Sequence, residues 1–107
     1  MRVDIVVTRH PALVELLKEM GMADEQTKVL SHVSNPEEIR GKVVAGVLPL
    51  HLASECEAVV SVDLKLKPED REKELSLEEL KERFIGVNAY KVSKMEMEMQ
   101  TRPKPRF

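Results

Sequence analysis

His10 and His51 occupy equivalent places in a chain of 107 residues that has only three histidines. Each follows an apolar, strand-like run and stands at the mouth of a helix-like one: His10 in VDIVVTRHPALVELLKEMG, His51 in KVVAGVLPLHLASEC. A strand that turns tightly into a helix presents unpartnered backbone N–H groups at a positive helix end, a ready place for an anion. Arg9 can fork two hydrogen bonds to a phosphate and never loses its charge. An imidazole titrates near neutrality and can donate or accept a proton. Thr8 can cap the following helix and also touch a ligand. These residues point to a phosphate-bearing ligand and to proton transfer on it. Plainer roles exist for each. Thr8-Arg9-His10-Pro11 also reads as a surface loop with a cap, and His51 as a donor to a carbonyl in the first turn of its helix.

Other chemistries find less support. One cysteine and three scattered histidines show no metal-ligand spacing, and no histidine pair stands at i, i+4, so neither metal nor cofactor is expected. Cys56 lies between Glu55 and Glu57, and negative neighbours raise a thiol pKa, which argues against a nucleophile. There is no P-loop and no GxGxxG. His32 reads as structural or exposed. Gly46, inside a strand-like run, allows either close approach of another backbone or clearance for a ligand. The run from Lys65 to Glu82 carries both signs and reads as a solvated face, from which Lys65 or Arg71 could reach a phosphate.

The bulk composition fits one domain: 42% apolar residues and a net charge of −2. Phe84, Tyr90 and Phe107 are the only aromatics, so a platform for stacking bases is missing and no binding of long nucleic acid is expected. A lone cysteine suits a reducing, cytoplasmic setting. The apolar stretch at 3–7 runs straight into Thr8-Arg9-His10, unlike a signal peptide. No apolar run approaches the roughly 20 residues of a spanning helix, so no membrane partner is expected.

The elements that must carry these residues follow from periodicity. Val3 to Val7 reads as a buried strand. Pro11 fits a first helical turn, with Thr8 or His10 near the cap. Leu13, Leu16, Leu17 and Met20 recur at helical spacing up to Gly21, a left-handed cap. Lys28–Val33 is a short strand, and Asn35 caps a turn starting at Pro36. Lys42–Leu48 is a strand apolar on both sides, Leu50–Cys56 a short helix, and Glu57–Leu66 an alternating strand. Ser76-Leu77-Glu78-Glu79 is a capping box opening a helix striped by Leu77, Leu80 and Phe84. Ile85–Val92 is the last strand. Alternating strands and helices imply an α/β fold, a Rossmann-like three-layer sandwich with a mainly parallel sheet of about five strands and helices on both faces. Ligands of such sheets bind beyond the carboxyl ends of the strands, where His10 and His51 could share one rim. Residues 1–93 form the domain. In the tail, 94–107, Met95, Met97 and Met99 alternate with Glu96 and Glu98 before Pro103 and Pro105, as in a flexible end or a strand pairing with a second subunit.

Four blocks in order, VVTRHP, GVLPLHLA, DLKLKPEDREKELS and AYKV, cover residues 3 to about 92. They resemble a small type III CRISPR-associated family of Rossmann-like ring nucleases. Its pattern is a VTRHPG-like start, a GTLPVHLA-like middle and an ALDLPxExRGxELS-like stretch. Thr8, Arg9 and His10 match the first block. Gly46, Leu48, Pro49, His51 and Leu52 match the second. Asp63, Glu69, Arg71, Glu74, Leu75 and Ser76 match the third. Departures are Ala12 in place of a frequent Gly, Lys67 intervening in the Asp-Leu-Pro spacing, and a tail after Lys94 without counterpart.

The resemblance implies degradation of cyclic oligoadenylate, chiefly cyclic tetra-adenylate, which switches type III CRISPR signalling off. It implies a metal-independent route in which a ribose 2′-hydroxyl attacks the adjacent phosphate. Arg9, His10 and His51 would be the catalytic set, with either histidine as acid or base. Thr8, Arg9, Pro49, Leu50, His51, Asp63 and Arg71 would contact the ligand. A two-fold ring suits a homodimer. The alternative is a sponge or sensor that binds the ring without cutting it; a second is a subunit that binds partners and no nucleotide.

Overall fold

The computed structural model describes residues 1–97. The β-branched run near the start becomes strand β1 (Ile5–Val7). Val3 is fully buried but outside the strand; its N–H donates to the Met22 carbonyl (2.7 Å), and its own carbonyl accepts the Thr27 hydroxyl (3.0 Å). Helix α1 (Pro11–Glu19) follows. Gly21 (φ 75°) ends it: the N–H groups of Gly21 and Met22 reach the carbonyls of Lys18 and Leu17, a Schellman closure.

Strand β2 (Lys28–Leu30) stops short of Val33, and His32 stands in the loop beyond it. Asn35 accepts the Glu37 N–H over a single 3-10 turn. Then come β3 (Val43–Gly46), α2 (Leu50–Ala53), β4 (Ala58–Leu64), a second 3-10 turn at Pro68–Asp70, α3 (Leu77–Arg83) and β5 (Phe84–Tyr90). The strands end earlier than the apolar runs because the runs continue into half-buried loop positions such as Leu48 and Val33 that pack against the core.

The sheet order is β2-β1-β3-β4-β5. The first four strands are parallel, and β5 is antiparallel to β4. The reason lies in α3. It ends at Arg83, the next residue already starts β5, and Phe84 pairs with Leu64 at the carboxyl end of β4. The chain therefore re-enters the sheet where β4 left it and can only run back.

One face buries Val6, Ala45 and Val60 against Leu17 of α1, with Leu16, Leu75 and Leu80 joining α1 to α3. The other buries Ile5, Val44 and Val59 against Ile39, Ala53 and Cys56 around α2. The expected three layers are present, with helices on both faces. Among the described residues, no helix is long and apolar enough to cross a membrane.

Helix α3 shows how local the sequence signal can be. Ser76 Oγ accepts the Glu79 N–H, and Glu79 Oε1 accepts the Ser76 N–H, both at 3.2 Å. Ser76→Ala should destabilise the domain by about 1 kcal/mol, the usual worth of an N-cap hydroxyl. Urea unfolding would show this as a lower midpoint with an unchanged slope; an unshifted midpoint would mean that the cap contributes nothing.

Candidate functional site

The order β2-β1-β3 means that the chain leaves β1 to one side and returns on the other, so the connections diverge between β1 and β3. That divergence is where open α/β sheets hold ligands. Val7, the last residue of β1, is in register with Gly46, the last of β3. The Thr8–Pro11 and Val47–Leu50 loops therefore leave the rim side by side. Gly46 makes the approach possible. Its φ is 139°, and a Cβ there would lie 2.4 Å from the Val7 carbonyl oxygen. Of the two roles the sequence left open for Gly46, close backbone approach is the one observed.

Thr8 donates its N–H to the Leu30 carbonyl (2.8 Å), tying the β1 exit to β2, and its Oγ1 accepts the His10 N–H (3.0 Å). His10 is the N-cap of α1 by backbone conformation, but its ring makes no capping bond. Pro11 has no N–H, so the donors at this helix end narrow to Ala12. The anion site foreseen here thus depends more on side chains than on the helix. At His51 the same holds more strongly, since α2 is one turn long.

His10 sits between two hollows. One, of about 340 Å³, is lined by Thr8, Arg9, His10, Pro11 and Val29, with Glu15 at the same wall. The other, of about 210 Å³, places His10 beside Arg71 and Lys73 over an apolar floor of Leu13, Leu64 and Leu80. His10 thus shares one hollow with Arg9 and the other with Arg71. Arg2, Arg40 and Arg83 all bind carboxylates, whereas Arg9 and Arg71 form no ion pair among the described residues. Both are exposed, with their charge free for an external anion.

His51 opens elsewhere. It lines a hollow of about 460 Å³ with Pro36, Leu50, Ser54, Ser93 and Lys94. The two histidines leave adjacent strand ends but do not share a cavity within one chain. Leu50 is 76% exposed and Val47 95%, so an aliphatic knuckle projects from the rim between them. Pro49 begins α2 by accepting the Leu52 and Ala53 N–H groups. Asp63 is committed within the sheet. It accepts Ser61 Oγ (3.0 Å) and Asn88 Nδ2 (2.8 Å), it lies in register with Gly86, and it does not line the hollow that holds Arg71.

Two residues that sequence reasoning passed over anchor the loop that carries Arg71. Asp70 has a fully buried side chain and forks with Arg83 (Nε to Oδ2, 2.8 Å; Nη2 to Oδ1, 3.3 Å). It also accepts the Lys67 N–H (2.9 Å). The Arg83 guanidinium first, then that N–H, holds the Asp70 carboxyl down at about 2. Nothing local in the charged run marks this pair. Its partners are thirteen residues apart and meet only when α3 packs.

The depressed carboxyl fixes the sign of an acid effect. The Asp70 contribution is fully present above the ordinary Asp range, near 4, and fades as pH falls toward 2. Urea midpoints measured from pH 5 to pH 2 should drop mainly below pH 4, and the drop should be smaller in Asp70→Asn. An equal drop in both proteins would assign the acid sensitivity to other carboxylates, Asp24 first, which Arg2 holds at about 2.

Burial first, then Glu55, pushes the Cys56 thiol up, which suits a packed side chain. Among the described residues, no group of three or more His, Cys, Asp or Glu side chains could hold a metal ion. Of the tail, Met95 and Met97 are exposed and outside any strand, while Met99, Pro103 and Pro105 lie outside the described residues.

No curated protein and no solved structure matches this chain. Residues 5–93 match the model of the family described as Putative CRISPR-associated protein (Cas_VVA1548). That stretch runs from β1 through β5 and takes in both histidine loops and the Arg71 loop, so the chain belongs to this CRISPR-associated family.

Proposed function

We propose that this protein is a ring nuclease that opens cyclic oligoadenylate, with cyclic tetra-adenylate as the first substrate to test, and so ends type III CRISPR signalling. The observation that carries the reading is that His10 lines two hollows, one with Arg9 and the other with Arg71, two arginines without carboxylate partners among the described residues. A phosphodiester between two guanidiniums is gripped at its non-bridging oxygens, where negative charge builds in the transition state. In the reaction, the ribose 2′-oxygen bonds to phosphorus and the bond to the 5′-oxygen breaks. The 2′-hydroxyl proton leaves to a base and the 5′-oxygen takes one from an acid. The product is a linear chain ending in a 2′,3′-cyclic phosphate. His10 performs one of these proton transfers. The Val47–Leu50 knuckle and His51 meet the nucleoside side of the ring, where adenine packs on aliphatic surface. A homodimer would present two such rims to a two-fold ligand.

The family match supports the CRISPR setting, and the fold supports a ligand at the β1/β3 rim. One observation favours the second reading, binding without cleavage. The His10 ring has no hydrogen-bond partner among the described residues to orient it. The deciding experiment incubates excess protein with cyclic tetra-adenylate in EDTA and follows the products by chromatography. Linear fragments with a cyclic phosphate end are expected. Tight binding with the ring intact after long incubation would replace the nuclease with a sponge or sensor.

A further inference from the structure

The loop between β4 and α3 is held by one residue at two points. Arg83 accepts the Lys65 N–H at its carbonyl oxygen (2.7 Å) and forks to Asp70 through its guanidinium. The Lys67 N–H closes on the same carboxylate. Farther on, Lys73 pairs with Glu79, and Leu75 is buried against α1 and α3. The strap is thus fixed before and after Arg71, whose own side chain is left exposed beside His10. Arg83 is only 11% exposed and Asp70 not at all. Taking such a pair out of water is costly, and apolar residues of similar size commonly serve stability as well or better. Asp70 itself also lines the hollow, next to Arg71.

We infer that Arg83 is a positioning residue: by clamping Asp70 it holds Arg71 over the His10 hollow, ready to engage a phosphate of the ligand. The inference rests on the function proposed above, and it adds two residues that were not assigned to ligand binding. A forked ionic hold suits this task better than apolar packing, because it fixes the orientation of the turn as well as its depth.

The test separates positioning from stability. Replacing both partners, Asp70→Leu with Arg83→Met, removes the clamp without stranding a buried charge. This double variant should melt near the wild type yet bind cyclic tetra-adenylate about tenfold more weakly, the worth of one well-placed charged hydrogen bond. Placed on Arg71→Ala, the same pair should cause no further loss, because the residue it positions is gone. Unchanged affinity in the double variant, or an equal loss with and without Arg71, would overturn the inference. Should the apolar pair not fold, Arg83→Lys enters the same cycle, since it keeps the charge and loses the fork.

Failure of the wild type to bind cyclic tetra-adenylate would instead overturn the proposed function. The clamp is then read by NMR with inorganic pyrophosphate. The Arg71 side-chain signal should shift in the wild type and shift less in the double variant; no shift, or equal shifts, would overturn the positioning role.

Discussion

Gly46→Ala is expected to lower the melting temperature by about 8 °C or more. Two costs add at this position. The backbone sits at φ 139°, where an L side chain is strained by about 1–3 kcal/mol. The new Cβ would also meet the Val7 carbonyl oxygen at 2.4 Å, and overpacking of this kind adds about 1–3 kcal/mol. At roughly 4–8 °C per kcal/mol for a domain near this size, the sum is easily read. Gly41 supplies the comparison. Its φ is 71° and nothing lies within 4 Å of its missing Cβ, so Gly41→Ala reads backbone strain alone. Thermal melts by circular dichroism should rank wild type, Gly41→Ala and Gly46→Ala in that order. If the two variants melt together, then β1 and β3 separate freely and the rim is not set by their close approach. The consequence reaches function, since both histidine loops start at this pair of strand ends.

Gly46 also marks how far a sequence can be read here. A glycine in an apolar strand run signals close approach by something, and the sequence alone left backbone and ligand as alternatives. The partner became visible only with the β1/β3 register. The same division runs through the fold. The capping box at Ser76 and the left-handed stop at Gly21 were legible because their bonds close within a few residues. The alternation of strands and helices was legible because burial on two faces imposes its own period. The antiparallel β5 was not, because its direction depends on α3 ending beside Leu64, a fact of tertiary geometry.

The site divides in the same way. That His10 and His51 both follow strand ends of one sheet was legible in chain order; that the two strands are neighbours came from the sheet order. That the two histidines open into different hollows depends on the paths of the loops beyond the sheet, and periodicity is silent about those. Asp63 illustrates the limit of motif matching. Its carboxylate is occupied across β4 and β5 by Ser61 and Asn88, so within this chain it braces the sheet. Arg71, read from a charged run that otherwise suggests a solvated face, directly follows Asp70, which a buried pair with Arg83 anchors. Long-range ion pairs leave no local pattern, which is why Asp70 and Arg83 had to be seen.

The split between the hollows leads to the sharpest functional expectation. If His10 moves a proton in the cleavage step, His10→Ala should slow single-turnover opening of cyclic tetra-adenylate by about 10²–10⁴-fold, the usual span for a lost acid or base. Affinity should change little, because Arg9 and Arg71 keep their charges. His51→Ala should slow the step by less than about tenfold and act mainly through binding, as expected for a side chain that orients substrate. Arg9→Ala and Arg71→Ala should weaken binding more than His51→Ala does, and more so at low salt, where exposed charges act over longer distances. A rate loss in His51→Ala that equals or exceeds that of His10→Ala would move the proton transfer to the α2 side of the rim. The reactive phosphate would then lie by Lys94 and Ser93, and the arginines around His10 would hold a phosphate that does not react. Because the two hollows are separate in one chain, the pair of variants locates the chemistry in a way that neither does alone.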